Sequence, residues 1–355
     1  MKRFEHGGGV HGIARQYGLA LADILDFSAS INPLGMPPAV AAAARQGLEE
    51  AIHYPEIDAA GLTEALAAFH RLPAECLLAA SGSTELFYLA PQVLRPRRAL
   101  LVAPAFSEYE RALALVGTVI DFFPLQPEDN FELDLCQLLR RVRPDTDLVL
   151  LANPGNPTGA VVPAEKIESL ARALREQALL AVDEAFIDFC PAASVIERVV
   201  DHSNLYVIRS LTKFYAIPGL RAGYLAGSPR GIARLAAARP PWPLSTPALA
   251  AAVACLAEAE FRAATLETIP QLRQQLAAGL VELGLTVFPS QANYLLVRLE
   301  QPGQSAAALD AALRPQGLLI RDCASFAPLD GRYLRLAVRS AADNQRLLAA
   351  LAEQL

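Results

Sequence analysis

From about residue 75 to 230, short apolar runs alternate with segments of helical period. The runs Ala99–Ala103, Thr118–Phe123, Leu148–Ala152, Leu179–Val182, Tyr206–Arg209 and Ala222–Ala226 read as strands. They are nearly continuous in apolar residues, which suits strands covered on both faces, and their alternation with helices predicts βαβ units and a mostly parallel sheet. The proline-dense stretch Arg239–Pro247 predicts a boundary. An Ala/Leu-rich helical stretch from about Ala248 to Leu283 follows it. Strand patterns at Thr286–Phe288, Asn293–Arg298, Leu318–Arg321 and Tyr333–Arg339 then alternate with helices and predict a smaller α/β domain. The expected division is a large domain over 40–243 and a discontinuous small domain over 1–39 and 244–355.

Polar residues gather where the apolar runs end. Strand-like Leu205–Arg209 leads into Ser210-Leu-Thr-Lys213, and Arg221 stands eight positions beyond the lysine. An isolated lysine is ordinarily a solvated charge. One that enters from a buried strand with a hydroxyl and a late arginine suits covalent attachment of a phosphorylated aldehyde. The run Leu179–Val182 ends in Asp183-Glu-Ala-Phe186. A carboxylate there can keep a pyridinium nitrogen protonated; the plainer alternative is a strand-end salt bridge. Leu148–Ala152 leads into Asn153-Pro-Gly-Asn156-Pro-Thr-Gly159, a turn whose Asn156 amide can donate to a ring oxygen. Ser81-Gly82-Ser83-Thr84-Glu85 has the signature of a helix N-terminus, which binds phosphate in some proteins and merely caps the helix in most.

Together these motifs resemble the fold-type I, pyridoxal-phosphate-dependent aminotransferase superfamily, over most of the chain. The resemblance implies that Lys213 carries the cofactor covalently, that Asp183 pairs with its ring nitrogen and that Asn156 binds its ring 3-oxygen. Gly82, Ser83, Thr84, Ser210 and Arg221 become the phosphate cradle. Tyr109 falls where the family stacks an aromatic on the ring, and Tyr54 where a second subunit reaches the phosphate, so a homodimer is implied. Phe186 stands where many relatives carry Tyr, which removes a second hydrogen bond to the ring oxygen. Within the superfamily, His6-Gly-Gly-Gly, Asn32-Pro-Leu-Gly, the Asp183 segment and Ser210–Tyr224 resemble the threonine-phosphate decarboxylase family of cobalamin biosynthesis. That resemblance implies a phosphorylated amino acid as substrate, with contacts from His6, Gly7, Asn32, Asn156, Arg321 and Arg335. Both arginines follow apolar runs, and a guanidinium fork suits either a carboxylate or a phosphate. Which arginine takes which anion is open at this level.

Composition narrows the alternatives. Hydrophobic residues make up 53% of the 355, much of that alanine in helical stretches. No apolar run reaches the roughly 18 to 20 residues needed to span a bilayer. The start lacks an apolar signal region, and five scattered cysteines form no CxxC or Cys/His spacing. A cytoplasmic protein without metal is expected. The formal net charge is −6 with no basic stripe, which argues against nucleic acid as a partner and against a ligand-sensing regulator with a DNA-binding module. The competing enzyme reading is a histidinol-phosphate aminotransferase, which shares the fold and an amino-phosphate substrate; Phe186 and the His6-Gly7 segment weigh against it.

Overall fold

The computed structural model describes residues 6–355. Its strands are β1 (Leu25–Asp26), β2 (Leu77–Ala80), β3 (Arg98–Ala103), β4 (Val119–Pro124), β5 (Leu148–Ala152), β6 (Leu179–Asp183), β7 (Leu205–Ser210), β8 (Gly223–Ala226), β9 (Thr286–Val287), β10 (Tyr294–Arg298), β11 (Leu318–Leu319), β12 (Arg321–Asp322) and β13 (Tyr333–Ala337). A seven-stranded sheet runs in the order β2-β8-β7-β6-β5-β3-β4. All its pairings are parallel except those of β8, which runs against both β2 and β7.

Successive side chains of these strands enter opposite cores, as the pleat requires. Leu100, Val102, Val149, Leu151, Leu180, Val182 and Val207 pack on one face. Leu101, Leu148, Leu150, Ala181 and Ile208 pack on the other, beneath the helix Gly82–Leu94. This explains why the runs read as continuous rather than alternating. A smaller antiparallel sheet has the order β12-β13-β10-β9, and β1 pairs in parallel with β11 beside it. The N-terminal segment thereby joins the C-terminal part of the chain.

Three features depart from the patterns read above. Strand β2, Leu-Leu-Ala-Ala, carried no β-branched or aromatic signal, although all four residues are buried. The stretch after Pro247 is two helices, Thr246–Ala257 and Ala259–Glu282, broken at Glu258. The first of them packs in the core of the large sheet through Ala248, Ala251, Ala252 and Cys255, although the pattern assigned it to the smaller unit. It crosses the helix Pro38–Glu49 so closely that a Cβ on Gly47 would lie 2.9 Å from the Pro247 Cα. The second helix serves both units: Ile269 lies in the large core, while Leu276 and Leu280 lie in the small one. Finally, Leu318–Arg321 divides at Ile320, with β11 pairing to β1 and β12 to β13. Among the described residues no helix is long and apolar enough to cross a membrane.

Candidate active site

The polar motifs meet at the carboxyl ends of the parallel strands, where open α/β sheets bind ligands. A cleft of about 540 Å³ there is lined by Ser83, Thr84, Asn156, Asp183, Phe186 and Lys213 from the large sheet. Ser28, Arg321 and Arg335 line it from the small sheet's side, and His6 and Gly7 from the N-terminal segment.

Lys213 lies in the turn after β7 and donates to the Thr212 hydroxyl at 3.0 Å. Burial lowers its pKa to about 8, helped by the positive charges of Arg221 and Arg335 and opposed by Asp183. Asp183 ends β6. Its Oδ1 accepts the Ala185 backbone N–H at 2.9 Å, and its Oδ2 accepts the Tyr109 hydroxyl. Burial raises its pKa to about 6, against those two hydrogen bonds and the Lys213 charge. The site therefore places a depressed amine and an elevated carboxyl on neighbouring strands, the pattern of a functional site.

The remaining motif after β2 forms a cradle. Gly82 opens the helix Gly82–Leu94 at φ +74°, and a Cβ there would lie 2.6 Å from Nη2 of Arg221. Only glycine permits this approach of backbone to guanidinium. Gly223 is equally confined, since its Cβ would lie 2.7 Å from the Ser83 nitrogen. The Ser210 and Thr212 hydroxyls bond at 2.7 Å on the adjoining turn. Helix N–H groups, two hydroxyl residues and an arginine fit a phosphate monoester.

On the other wall Arg335 is buried on β13. It donates from Nη1 to the Asn156 Oδ1 at 2.5 Å and from Nη2 to the Ser28 carbonyl at 2.7 Å, and its Nε is buried without a partner. Arg321 is buried on β12, bonds the Ser325 hydroxyl at 3.0 Å and lies over the Phe326 ring. Phe186 packs edge-on against Tyr294 with ring centroids 4.9 Å apart, so it presents an apolar ring and no hydroxyl to the cleft.

Two expected site residues, Tyr109 and Asn32, stand elsewhere than the motifs suggested. Tyr109 is buried behind Asp183 rather than lying along the cleft; Phe106, three residues earlier, lines the cleft instead. Asn32 does not line it. Its amide nitrogen donates to the Phe214 carbonyl at 2.8 Å and to Thr265 at 2.9 Å, and its backbone N–H donates to the Lys213 carbonyl at 3.0 Å. Asn32 thus anchors the Lys213 turn and has no amide hydrogen left for a substrate. Tyr54 lies outside its own cleft, exposed and stacked on Trp242 at 4.8 Å.

Residues 22–351 match the profile of the family described as Aminotransferase class I and II. The chain belongs to the class I and II aminotransferase family. Within the family it is 40% identical over 350 residues to the threonine-phosphate decarboxylase of Salmonella typhimurium, covering 98% of this chain and 95% of that one. The crystal structure of L-threonine-O-3-phosphate decarboxylase from Porphyromonas gingivalis superposes with a TM-score of 0.82 at 28% identity, covering 92% of this chain and 98% of that one. Histidinol-phosphate aminotransferase from Sinorhizobium meliloti, solved in complex with pyridoxal-5'-phosphate, gives a TM-score of 0.87 at 27% identity, covering 97% and 94%. As a member of this family the chain uses pyridoxal 5'-phosphate, and the cradle at Gly82 and Arg221, the amine of Lys213 and the carboxylate of Asp183 fit that cofactor.

Proposed function

We infer that this chain is a pyridoxal-phosphate-dependent lyase that decarboxylates L-threonine O-3-phosphate to (R)-1-amino-2-propanol O-2-phosphate and carbon dioxide, in cobalamin biosynthesis. The observation that carries this reading is the pair of buried guanidinium groups, Arg321 and Arg335, in one cleft with Lys213 and Asp183. A guanidinium fork binds a carboxylate or a phosphate bidentately, and a substrate that carries both offers one anion to each arginine.

When bound, the cofactor supplies a ring that accepts the electron pair released at the substrate's α-carbon. The chain decides which bond at that carbon breaks. Decarboxylation needs the carboxylate out of the plane of the conjugated system, and two arginines gripping two anions fix the substrate's rotation. We assign Asp183 to the ring nitrogen, with Tyr109 and the Ala185 N–H holding its carboxylate in place. Asn156 serves the ring oxygen alone, since Phe186 offers no hydroxyl. Lys213, with a pKa of about 8, is suited to hold or return a proton near neutral pH.

Tyr54 supports a second, structural proposal. It is exposed and stacked on the exposed Trp242, and Leu48, Ile52 and Ile57, close to it in sequence, are exposed as well. We propose that this face pairs with a second copy and that Tyr54 then completes the partner's phosphate site. The lyase reading itself is tested by comparing threonine phosphate with free threonine. At least about a 1000-fold preference for the phosphorylated substrate is expected, roughly 4 kcal/mol in the transition state. Equal efficiency on both would overturn it.

A further inference from the structure

Glu108 is a buried carboxylate beside the cleft, bonded to the cleft-lining His6, that the chemistry above leaves unused. It sits in the first turn of the helix Ser107–Leu115, directly after β3, with only 4% of its surface exposed. Three donors converge on it. His6 Nε2 lies 2.9 Å from Oε1, the Tyr88 hydroxyl donates to Oε2, and Arg111 Nη1 stands 3.8 Å from Oε2. His6 also lies against Phe106, with ring centroids 5.6 Å apart.

The segment that carries His6 is held at its other end by the small sheet's side. The Gly8 N–H donates to the Ser28 hydroxyl at 2.9 Å, and that hydroxyl donates to Asp26 at 2.5 Å. A Cβ on Gly7 would lie 2.1 Å from the Ser28 carbonyl oxygen, so the backbone lies flat on the Ser28 turn. Ser28 is in turn the residue whose carbonyl accepts from Arg335. Residues 6–8 therefore span the cleft mouth, fastened to Ser28 on one side and to Glu108 on the other.

We propose that Glu108 is a positioning residue for the reaction: it latches His6, and through it the N-terminal segment, across the cleft mouth against the bound substrate. This rests on the lyase reading given above. The pairing suits an anionic substrate. An uncompensated carboxylate beside the cleft would repel a phosphate, whereas one already engaged by a hydroxyl, an imidazole and a guanidinium holds its donors in place with little free negative field. A latch that orders a strap before binding lowers the ordering cost of association, so its loss falls on substrate affinity more than on turnover.

The test uses the holoenzyme and begins with wild-type decarboxylation of threonine phosphate; absence of that activity would refute the lyase reading and not this one. Glu108→Ala is expected to raise KM at least about tenfold with kcat changed by less than about twofold. Glu108→Gln keeps an acceptor for His6 and should recover KM to within about threefold of wild type. His6→Ala should raise KM as Glu108→Ala does, and the double variant should be no worse than either single one, because both remove the same contact. Additive effects of the two substitutions, or an unchanged KM in Glu108→Ala, would overturn the latch. So would a fall of kcat, KM performance and thermal midpoint together, which marks a role in stability alone. Should Glu108→Ala fail to fold, the cycle of His6→Ala with Glu108→Gln decides: the Gln change must lose its residual effect once His6 is gone.

Discussion

Arg335 donates from Nη1 to Oδ1 of Asn156 at 2.5 Å, joining β13 of the small sheet to the turn after β5 of the large one. This bond fixes the amide of Asn156 by its oxygen and leaves Nδ2 as the end that can donate to a ring oxygen. The same guanidinium faces the substrate cleft. In the proposed assignment, this one contact between residues 179 positions apart would set a substrate group and a cofactor group together.

The two arginines should separate by their partners. Arg335→Ala frees Asn156 and the Ser28 carbonyl besides removing a cation, so it should lower kcat/KM on threonine phosphate and on free threonine alike, by at least about 100-fold. Arg321 lines the cleft together with His6 and Gly7. Arg321→Ala should reduce activity on threonine phosphate far more than on free threonine. Parallel kinetics with both substrates check this, and the reverse pattern would exchange the two anions.

Asp183→Asn should still load cofactor but lose at least about 100-fold in rate, roughly 2.7 kcal/mol. A carboxylate in a water-excluded site stabilises charge that develops during reaction more than it stabilises the ground state. Tyr109→Phe removes one of the two donors to that carboxylate and should cost about tenfold. A loss of only a few-fold in Asp183→Asn would make the carboxylate structural.

Lys213 gives a pH prediction. Its pKa is lowered from 10.5 to about 8 because burial disfavours the charged amine. A lowered pKa enlarges the neutral, nucleophilic fraction near neutrality. Cofactor capture by the cofactor-free protein should therefore rise roughly tenfold between about pH 7 and 9 and level off, half-maximal near pH 8. Stopped-flow absorbance follows it. A rate that keeps climbing tenfold per pH unit through about pH 9.5 would mean an unperturbed lysine.

The apolar face around Tyr54 and Trp242 should bury itself in a two-fold pair, the commonest assembly. Sedimentation at assay concentration should show a dimer, and Tyr54→Phe should weaken cofactor binding. A fully active monomer would refute the shared site.

The parts of the site carried by one strand and the turn after it were legible in the sequence. Asp183, Asn156 and Lys213 each follow a buried run, and the run reveals the direction from which the side chain enters. Residues whose role depends on distant partners were not. Asn32 reads as a turn residue ready for a ligand, but its amide is spent on Phe214 and Thr265, 182 and 233 positions away. Tyr109 and Phe106 both lie in one motif, and no local pattern says which ring reaches the cleft. Strand β2 was invisible because Leu and Ala favour helices, and only its place beside β8 makes it a strand. Glu108 reads as an ordinary first-turn acid; its contact with His6 spans 102 positions.

The most direct measurement of the account is product analysis with the purified holoenzyme and L-threonine O-3-phosphate. The account predicts one equivalent of carbon dioxide and one of 1-amino-2-propanol O-2-phosphate per substrate consumed, with no need for 2-oxoglutarate. A phosphorylated keto acid formed only when 2-oxoglutarate is supplied would contradict it and make the chain a transaminase.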